Sequence, residues 1–245
     1  MAVSPLPQWF EGSEYTHKVA VCVMKYGPIS RITLAQILGL SQGAVSRITS
    51  DLIYAGVIEE TPMPSGKAGK LPKGFVQKEN TERRGRPQMG LRIIKNARSF
   101  VGMKINATHI SAVAVNAIGQ IITGCHDLEI EDTSPQTVVT LIKQLTIDCS
   151  DEAEMAGWPK PCAVGISLGG YVVDNAVVTF APFMHWSQPV ELSAMVREAT
   201  GLPTGIYNDI DSLVVDACLF GSGVGLDSFA VLTFGAGVGY SLTVN

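Results

Sequence analysis

Residues 30–52 read SRITLAQILGLSQGAVSRITSDL, a pattern typical of two short helices joined by a tight turn. The first helix is predicted to begin after Ser30 and to end at Gly39, with apolar positions at Ile32, Leu34, Ala35 and Leu38. The second begins after Ser41, and its inward stripe consists of Val45, Ile48 and Leu52. An earlier helix over residues 15–26 would complete a three-helix core. The sequence therefore predicts a helix-turn-helix, a pattern that any two short amphipathic helices can imitate.

The outward face of the second helix carries the candidate DNA-reading residues. Near a helix N-terminus, small and hydrogen-bonding side chains let the backbone approach a phosphate, while longer ones reach base edges in the major groove. The residues with these properties are Ser41, Gln42, Gly43, Ser46, Arg47 and Ser50. We expect Gln42, Ser46 and Arg47 to read the major groove.

A basic loop follows the three helices and is predicted to form an enlarged wing over about residues 61–90. Two paired strands are predicted on either side of it, and the loop itself carries Lys67, Lys70, Lys73 and Lys78. It ends in Arg83, Arg84, Gly85, Arg86 and Pro87. Arginines around a glycine are narrow enough to enter the minor groove, where a compressed A·T tract concentrates negative potential. Taken alone, such a pentapeptide is more often a solvated basic linker.

Charge is distributed unevenly along the chain. Residues 1–98 contain 14 Lys and Arg against 7 Asp and Glu, whereas residues 99–245 contain 4 against 15. The basic part suits a polyanion such as double-stranded DNA, which would repel the acidic part. Ordinary solubility explains most of the acidity. We expect a flexible arm over residues 1–14, a winged helix-turn-helix DNA-binding domain over 15–95, and a second domain over 96–245.

The second part predicts an α/β domain. Three strands are expected over residues 100–106, 109–115 and 120–129, followed by a helix over 135–155 whose buried side carries Val138, Val139, Leu141, Ile142, Leu145 and Ile147. A strand over 161–167 and a helix over 189–200 follow. This βββαβα order occurs in the actin-like (ribonuclease H-like) nucleotide-binding folds, and in many other α/β proteins.

Neither a membrane span nor a metal site is indicated. No run of about 18 apolar residues is present, so we expect a cytoplasmic protein without membrane insertion. The five cysteines, Cys22, Cys125, Cys149, Cys162 and Cys218, are widely spaced and odd in number, which indicates reduced core residues.

Several spaced motifs together resemble one family. From about Tyr15 to the last residue, the chain is similar to repressors of the ROK group (repressors, open reading frames and kinases), in which a winged helix precedes an actin-like sugar-kinase-type domain. The motifs are AGVI at 55–58, GRP at 85–87, VGISLGG at 164–170, APFMHW at 181–186, TGLP at 200–203, NDI at 208–210 and TFGAGVG at 233–239.

One departure from the kinases of this group separates enzyme from regulator. The kinases carry Asp-x-Gly-Gly-Thr, whose aspartate positions Mg²⁺ and whose glycines admit ATP phosphates. The matching stretch here is Lys104-Ile105-Asn106-Ala107-Thr108. A lysine cannot ligate Mg²⁺, and side chains replace the bare backbone that a phosphate needs. We therefore expect no phosphoryl transfer and no catalytic residue, with a sugar kinase carrying a regulatory DNA-binding arm as the alternative.

The resemblance also implies a sugar site. Its asparagine-aspartate pair corresponds to Asn208 and Asp209, and its glycine turn to Gly169 and Gly170. A helix N-cap is an equally good interpretation of Asn208-Asp209. The asparagine that the family often places after Ala-Pro is Phe183 here, which offers a stacking face and no hydrogen bond. His185 and Trp186 are expected to pack against the domain wall.

The end of the chain leads to a further expectation. In the family, a sugar-contacting Glu-x-Gly-His and a zinc-binding cysteine cluster follow the glycine-rich stretch, and here they would lie beyond residue 245. We expect the second lobe to be truncated, so that Val231, Leu232, Val238 and Leu242 lack a covering layer. No cofactor or metal is expected in this chain, and sugar affinity should be weak or absent. The resemblance predicts a transcriptional repressor of carbohydrate-utilisation genes that binds double-stranded DNA, responds to a sugar or phosphosugar, and forms a homo-oligomer when intact. An interaction module that docks a protein partner is a further alternative.

Overall fold

A computed structural model describes residues 12–63, 71–75, 89–235 and 237–244. These residues form two compact units. One contains Arg98–Leu213 with Thr233–Gly239, and the other contains the described residues before Arg98 together with Val214–Leu232 and the end of the chain.

The helical unit contains three short helices followed by a two-stranded sheet. The elements are α1 (Glu14–Tyr26), α2 (Arg31–Leu38), α3 (Gln42–Tyr54), β1 (Ile58–Pro62) and β2 (Met89–Ile93). The strands pair antiparallel, with Ile58 opposite Ile93. The loop between them includes Lys73, which is exposed. The arginine cluster at 83–87 and Lys67, Lys70 and Lys78 lie outside the described residues.

Side-chain caps define where α2 and α3 begin. The Ser30 hydroxyl accepts a hydrogen bond from the Thr33 N–H at 3.1 Å, and the Ser41 hydroxyl accepts one from the Ala44 N–H at 3.2 Å. Gly39 ends α2 with a left-handed φ of 63°, which a glycine adopts without the steric cost that a Cβ adds. Both predicted caps and the predicted helix end are confirmed.

The inward stripe predicted for α3 is confirmed, whereas one position of α2 is wrong. Val45, Ile48 and Leu52 are all buried. Ile32 is 53% exposed. Thr33 is buried in its place, and its hydroxyl lies 2.9 Å from the buried hydroxyl of Ser30, so the two polar groups satisfy each other.

The elements that follow β2 along the chain are β3 (Ser99–Ile105), β4 (His109–Asn116), β5 (His126–Glu129), α4 (Pro135–Met155), β6 (Pro161–Leu168), β7 (Tyr171–Val173), β8 (Val177–Phe180), α5 (Leu192–Thr200), β9 (Thr204–Asn208), α6 (Asp209–Leu219), β10 (Ser228–Phe234) and β11 (Val238–Val244). The other unit is built on a mixed five-stranded sheet, with strand order β5-β4-β3-β6-β9. β6 runs parallel to both β3 and β9, and the remaining pairs are antiparallel.

One face of the sheet packs against α4 and α5 to form the main core. The core includes Met103, Ile110, Ile142, Leu145, Ile166, Leu168, Val196 and Ile206. Ile147 is 44% exposed, which contradicts its predicted burial. The buried stripe of α4 continues instead through Thr146 and Cys149, one helical turn beyond Ile142 and Leu145.

Two predicted elements are shorter than expected. The strand predicted over 120–129 is regular only in β5, although Ile122 N–H still donates to the Ala114 carbonyl at 2.9 Å. The helix predicted over 189–200 begins at Leu192, because Val190 instead exchanges backbone hydrogen bonds with Val178.

The β7–β8 hairpin was not among the elements predicted from the sequence. Its turn places Asp174 and Asn175 at φ values of 52° and 53°, the left-handed region that Asp and Asn tolerate in tight hairpin turns. Farther along, β10 and β11 pair only with each other in the described chain. Leu232, Val238 and Leu242 are exposed there, whereas Val231 is half-buried. No helix in the described ranges has both the length and the apolar character needed to cross a bilayer.

Candidate functional site

The carboxyl ends of two neighbouring parallel strands bring the predicted sugar-site residues together. β6 ends at Leu168, which lies opposite Asn208 at the end of β9. Gly169-Gly170 therefore follows one strand at the same sheet edge where Asp209 follows the other. Ligand sites in open α/β sheets lie at this edge.

Asn208 uses both ends of its side-chain amide within the protein. Its Nδ2 donates to the Gly170 carbonyl at 2.8 Å, and its Oδ1 accepts from the Ile210 N–H at 2.8 Å. The second bond caps α6, as the alternative interpretation expected. Asn208 thus holds the glycine turn against the start of α6.

Asp209 is the first residue of α6, and its carboxylate is the free acceptor of the pair. Among the described residues, none donates a hydrogen bond to it. An ionised carboxylate only accepts hydrogen bonds, which suits the hydroxyl groups of a sugar.

The two glycines of the turn differ in how much space a side chain would have. A Cβ on Gly170 would lie 2.6 Å from the Phe180 carbonyl oxygen and 2.9 Å from Leu168 Cδ1, so packing excludes any side chain. A Cβ on Gly169 would meet Phe183 Cε1 at 3.6 Å and Asp209 Oδ2 at 3.7 Å, which are ordinary contacts. Packing therefore does not require a glycine at Gly169, whose bare backbone lies between an aromatic ring and a carboxylate.

Phe183 lies in a single 3-10 turn, Pro182–Met184, whose neighbours anchor it. Ala181 and Met184 are buried in the core, whereas Phe183 is half-buried. Trp186 is buried, and its indole N–H donates to the Thr133 carbonyl at 2.6 Å, which confirms its predicted packing role. His185 is exposed, so its predicted packing against the wall is wrong. His185 has a left-handed φ of 57°, which ends the 3-10 turn.

The stretch that matches the phosphate motif of the kinases forms a closed polar turn. Asn106 Oδ1 accepts hydrogen bonds from the Thr108 N–H at 2.9 Å and the His109 N–H at 2.8 Å. These donors are therefore engaged within the chain. Lys104 is exposed on β3. The turn offers neither a carboxylate for a metal ion nor bare backbone for a phosphate.

In the helical unit, the predicted DNA-reading residues share one exposed face of α3. Gln42, Gly43, Ser46, Arg47 and Ser50 are all exposed. Ser50 donates its hydroxyl to the Ser46 carbonyl at 2.9 Å, and Ser41 caps the helix. The N-terminal N–H groups of α3, Gln42 and the Arg47 guanidinium therefore lie along a single polar surface.

Arg31, for which the sequence predicted no role, contacts the buried side of α3. Its Nε donates to Thr49 Oγ1 at 2.9 Å, and it forms a 2.7 Å ion pair with Glu60 on β1. Because Thr49 is buried on α3, Arg31 ties α2, α3 and the sheet together.

No group of three potential ligands in the described part of the chain could hold a metal ion. The described cysteines are free thiols. Burial raises the pKa of the Cys22 thiol and of the Cys149 thiol to about 12.

Elsewhere, the Gly124 N–H and the His126 ring hold the pKa of Glu152 below its ordinary value, mainly through the hydrogen bond from Gly124 at 2.8 Å.

The sequence of this chain is similar to a known family and to curated repressors. The ROK family model matches residues 100–245. The chain is 22% identical over 226 residues to the xylose repressor of Bacillus spizizenii, covering 91% of this chain and 53% of the repressor. It spans about half the length of the curated relatives that it matches.

Solved structures show the same fold. A ROK family transcriptional regulator, a homologue of Escherichia coli Mlc, superposes with a TM-score of 0.68 at 22% identity, covering 94% of this chain and 54% of that one. A ROK glucokinase from Streptomyces griseus, solved with glucose and AMPPNP, gives 0.51 at 30% identity over 60% of this chain and 44% of that one. The larger unit therefore has the actin-like, sugar-kinase-type fold, and the chain belongs to the ROK family.

Proposed function

We propose that this protein is a sequence-specific DNA-binding transcriptional regulator, a repressor of carbohydrate-utilisation genes that responds to a sugar or phosphosugar and lacks kinase activity. The observation that carries the proposal is the exposed polar face of α3, which combines a capped helix N-terminus with Gln42 and Arg47. Its similarity to the xylose repressor extends over 91% of the chain and includes this helical unit.

In this proposal the helical unit is a winged helix-turn-helix. α3 enters the major groove, the N–H groups at its start meet a phosphate, and Arg47 reaches base edges. The loop after β1 is the wing, and Arg84 and Arg86 enter flanking A·T-rich minor grooves. The protein acts in the cytoplasm as a homo-oligomer, so that two such helices read two half-sites.

The sugar response is assigned to the edge of the sheet at Gly169, Gly170, Asn208 and Asp209. The free Asp209 carboxylate supports it, since the side-chain amide of the neighbouring Asn208 is already engaged within the protein. The closed turn at Asn106 supports a site that binds without phosphoryl transfer. ATP-dependent phosphorylation of a sugar by the purified protein would favour the alternative, a ROK-type kinase with a regulatory DNA-binding arm.

Genomic footprinting with the purified chain tests the proposal and identifies bound sites. Binding to a recovered site is then measured by fluorescence anisotropy for the wild type, Arg47→Ala and the matched control Lys143→Ala, an exposed cation on α4. Loss of a base contact should weaken binding roughly tenfold or more, through about 1–3 kcal/mol of base discrimination, while the control leaves it unchanged. Equal affinities for all three proteins would contradict the proposed role of α3.

The wing is tested separately with Arg86→Ala. This variant should bind more weakly and lose its preference for A·T tracts that flank the site, because a cation in a narrow minor groove responds to the local potential. Unchanged affinity for duplexes with A·T-rich and G·C-rich flanks would argue against a minor-groove role for the arginine cluster.

A further inference from the structure

We infer that Arg31 is a positioning residue for base recognition, because it sets the local shape of α3 at Ser46 and links that position to β1. The inference rests on the proposed function, since it assumes that the exposed face of α3 reads DNA. It goes further by naming a residue that controls this readout from the buried side of the helix.

A chain of hydrogen bonds runs from the two-stranded sheet to the middle of α3. Arg31 Nη1 forms a 2.7 Å ion pair with Glu60 on β1, and Arg31 Nε donates to Thr49 Oγ1 at 2.9 Å. Thr49 in turn donates its hydroxyl to the Ser46 carbonyl at 3.1 Å. Side chains from β1, α2 and α3 therefore act together on one backbone carbonyl of the helix that we propose enters the major groove.

The Ser46 carbonyl accepts a hydroxyl from each side of α3. Thr49 donates from the buried side at 3.1 Å, and Ser50 donates from the exposed side at 2.9 Å. Hydroxyls that bond back to a carbonyl about one turn earlier bend a helix locally. The balance between these two bonds therefore sets the direction in which Ser46 and Arg47 project.

Arg31 decides which bond the Thr49 hydroxyl makes. A threonine in a helix divides between two side-chain rotamers, because its hydroxyl can bond back to a carbonyl three or four residues earlier. Thr49 is fully buried, so water does not compete for this hydroxyl. Arg31 Nε occupies an acceptor position of the hydroxyl oxygen, which leaves its single proton for the Ser46 carbonyl.

The guanidinium of Arg31 is itself held at two points, Thr49 and Glu60. A lysine ammonium is a compact charge on a flexible stem and does not reproduce two bonds made by one planar group. The Arg31 side chain is 30% exposed and that of Glu60 is 42% exposed, and ion pairs this accessible contribute little to stability. The effect expected of the Glu60 carboxylate is therefore to orient the guanidinium.

The same strand provides a matched control. Glu59, the neighbour of Glu60 on β1, forms a 2.7 Å ion pair with Arg92 on β2, and its side chain is 43% exposed. This pair lies within the sheet and does not involve α3. Glu59→Gln and Glu60→Gln thus remove the same charge from adjacent positions, and only the second interrupts the chain of bonds to Ser46.

Fluorescence anisotropy on the full chain tests the inference with two duplexes. One is a footprinted site, and the other carries a replacement of the base pair whose substitution weakens wild-type binding most. The ratio of the two affinities measures base discrimination. Arg31→Lys and Glu60→Gln should each lower this ratio roughly three- to tenfold, a part of what one base contact contributes, whereas Glu59→Gln should keep the wild-type ratio.

Two further comparisons separate positioning from other roles. Thr49→Val should lower the ratio as Arg31→Lys does, and Thr49→Ser, which restores the hydroxyl, should recover it. A purely structural role would instead lower the melting temperature and weaken binding to both duplexes by the same factor. Arg31→Gln should lower the ratio without changing the salt dependence of binding, whereas loss of a direct phosphate contact would reduce the slope of log affinity against log salt by about 1.

The outcomes distinguish this inference from the proposed function. A folded wild type that binds neither duplex would overturn both. A wild type that discriminates between the duplexes, with Arg31→Lys and Glu60→Gln keeping its ratio, would overturn the inference alone. Equal loss of discrimination in Glu59→Gln, or a shallower salt slope in Arg31→Gln, would also overturn it.

Discussion

The glycine turn after β6 yields a sharp prediction, because substitution by alanine should lower the stability of the fold at Gly170 and leave it unchanged at Gly169. Gly170→Ala places a Cβ 2.6 Å from the Phe180 carbonyl oxygen and 2.9 Å from Leu168 Cδ1. The carbonyl belongs to a paired strand and cannot move freely. Relief requires displacing β8 or the turn, and overpacking of this kind costs roughly 1–3 kcal/mol. For a domain of this size we expect a melting temperature lower by roughly 3–10 °C.

Gly169→Ala is the matched control for stability and the test for ligand binding. Its Cβ meets Phe183 and Asp209 at 3.6 and 3.7 Å, so stability should stay within about 0.5 kcal/mol of the wild type. The new methyl group nevertheless occupies the space between the ring and the carboxylate, and sugar binding should be lost. Differential scanning calorimetry and sugar titration measure the two effects. Equal destabilisation by both variants, or full sugar binding by Gly169→Ala, would contradict the predicted difference between the two glycines.

Three further outcomes are expected. Ser30→Ala should destabilise the helical unit by about 1 kcal/mol, because it leaves the Thr33 N–H of α2 uncapped; chemical denaturation followed by circular dichroism measures this. Because the folded-state pKa of Glu152 is lowered, its ionised form stabilises the fold above its ordinary value of about 4.3, and this stabilisation disappears as pH falls through the lowered folded-state pKa. Glu152→Gln should thus be less stable than the wild type at neutral pH and equally stable in strong acid, whereas a gap that persists in strong acid would contradict the assignment. In mass spectrometry after alkylation at neutral pH, Cys125 should be labelled in the native protein, and Cys22 and Cys149 only after unfolding; early labelling of either buried thiol would be inconsistent with its burial.

Local signals in the sequence predicted the elements well where they act within one or two helical turns. Ser30 and Ser41 cap their helices because a cap involves residues only three positions apart. Gly39 ends α2 for the same local reason. The hairpin at Asp174-Asn175 was missed although the signal was present, since two residues that tolerate positive φ separate two β-branched runs.

Burial was predicted less well, because it depends on what packs against a helix. Ile32 and Ile147 are apolar and lie in helices, yet both face solvent while threonines at neighbouring positions are buried. Hydrophobicity gives no means of separating such positions until the partner surface is known.

The candidate site could be predicted only in part. The resemblance indicated Gly169, Gly170, Asn208 and Asp209, and the parallel pairing of β6 with β9 brings them to one edge. The internal use of Asn208 and the approach of Phe183 to Gly169 depend on the tertiary path of the chain between β8 and α5. The contribution of the arginine cluster at 83–87 remains a prediction from the sequence.

The salt dependence of duplex binding tests the central claim most directly. Fluorescence anisotropy is recorded for the full chain on a mixed-sequence duplex and on a footprinted site, across a range from low to moderate salt. We expect binding to both duplexes at low salt, tighter binding to the footprinted site, and a steep linear fall of log affinity with log salt as phosphate contacts release counterions. A folded protein that binds neither duplex in dilute buffer, or whose affinity does not respond to salt, would contradict it.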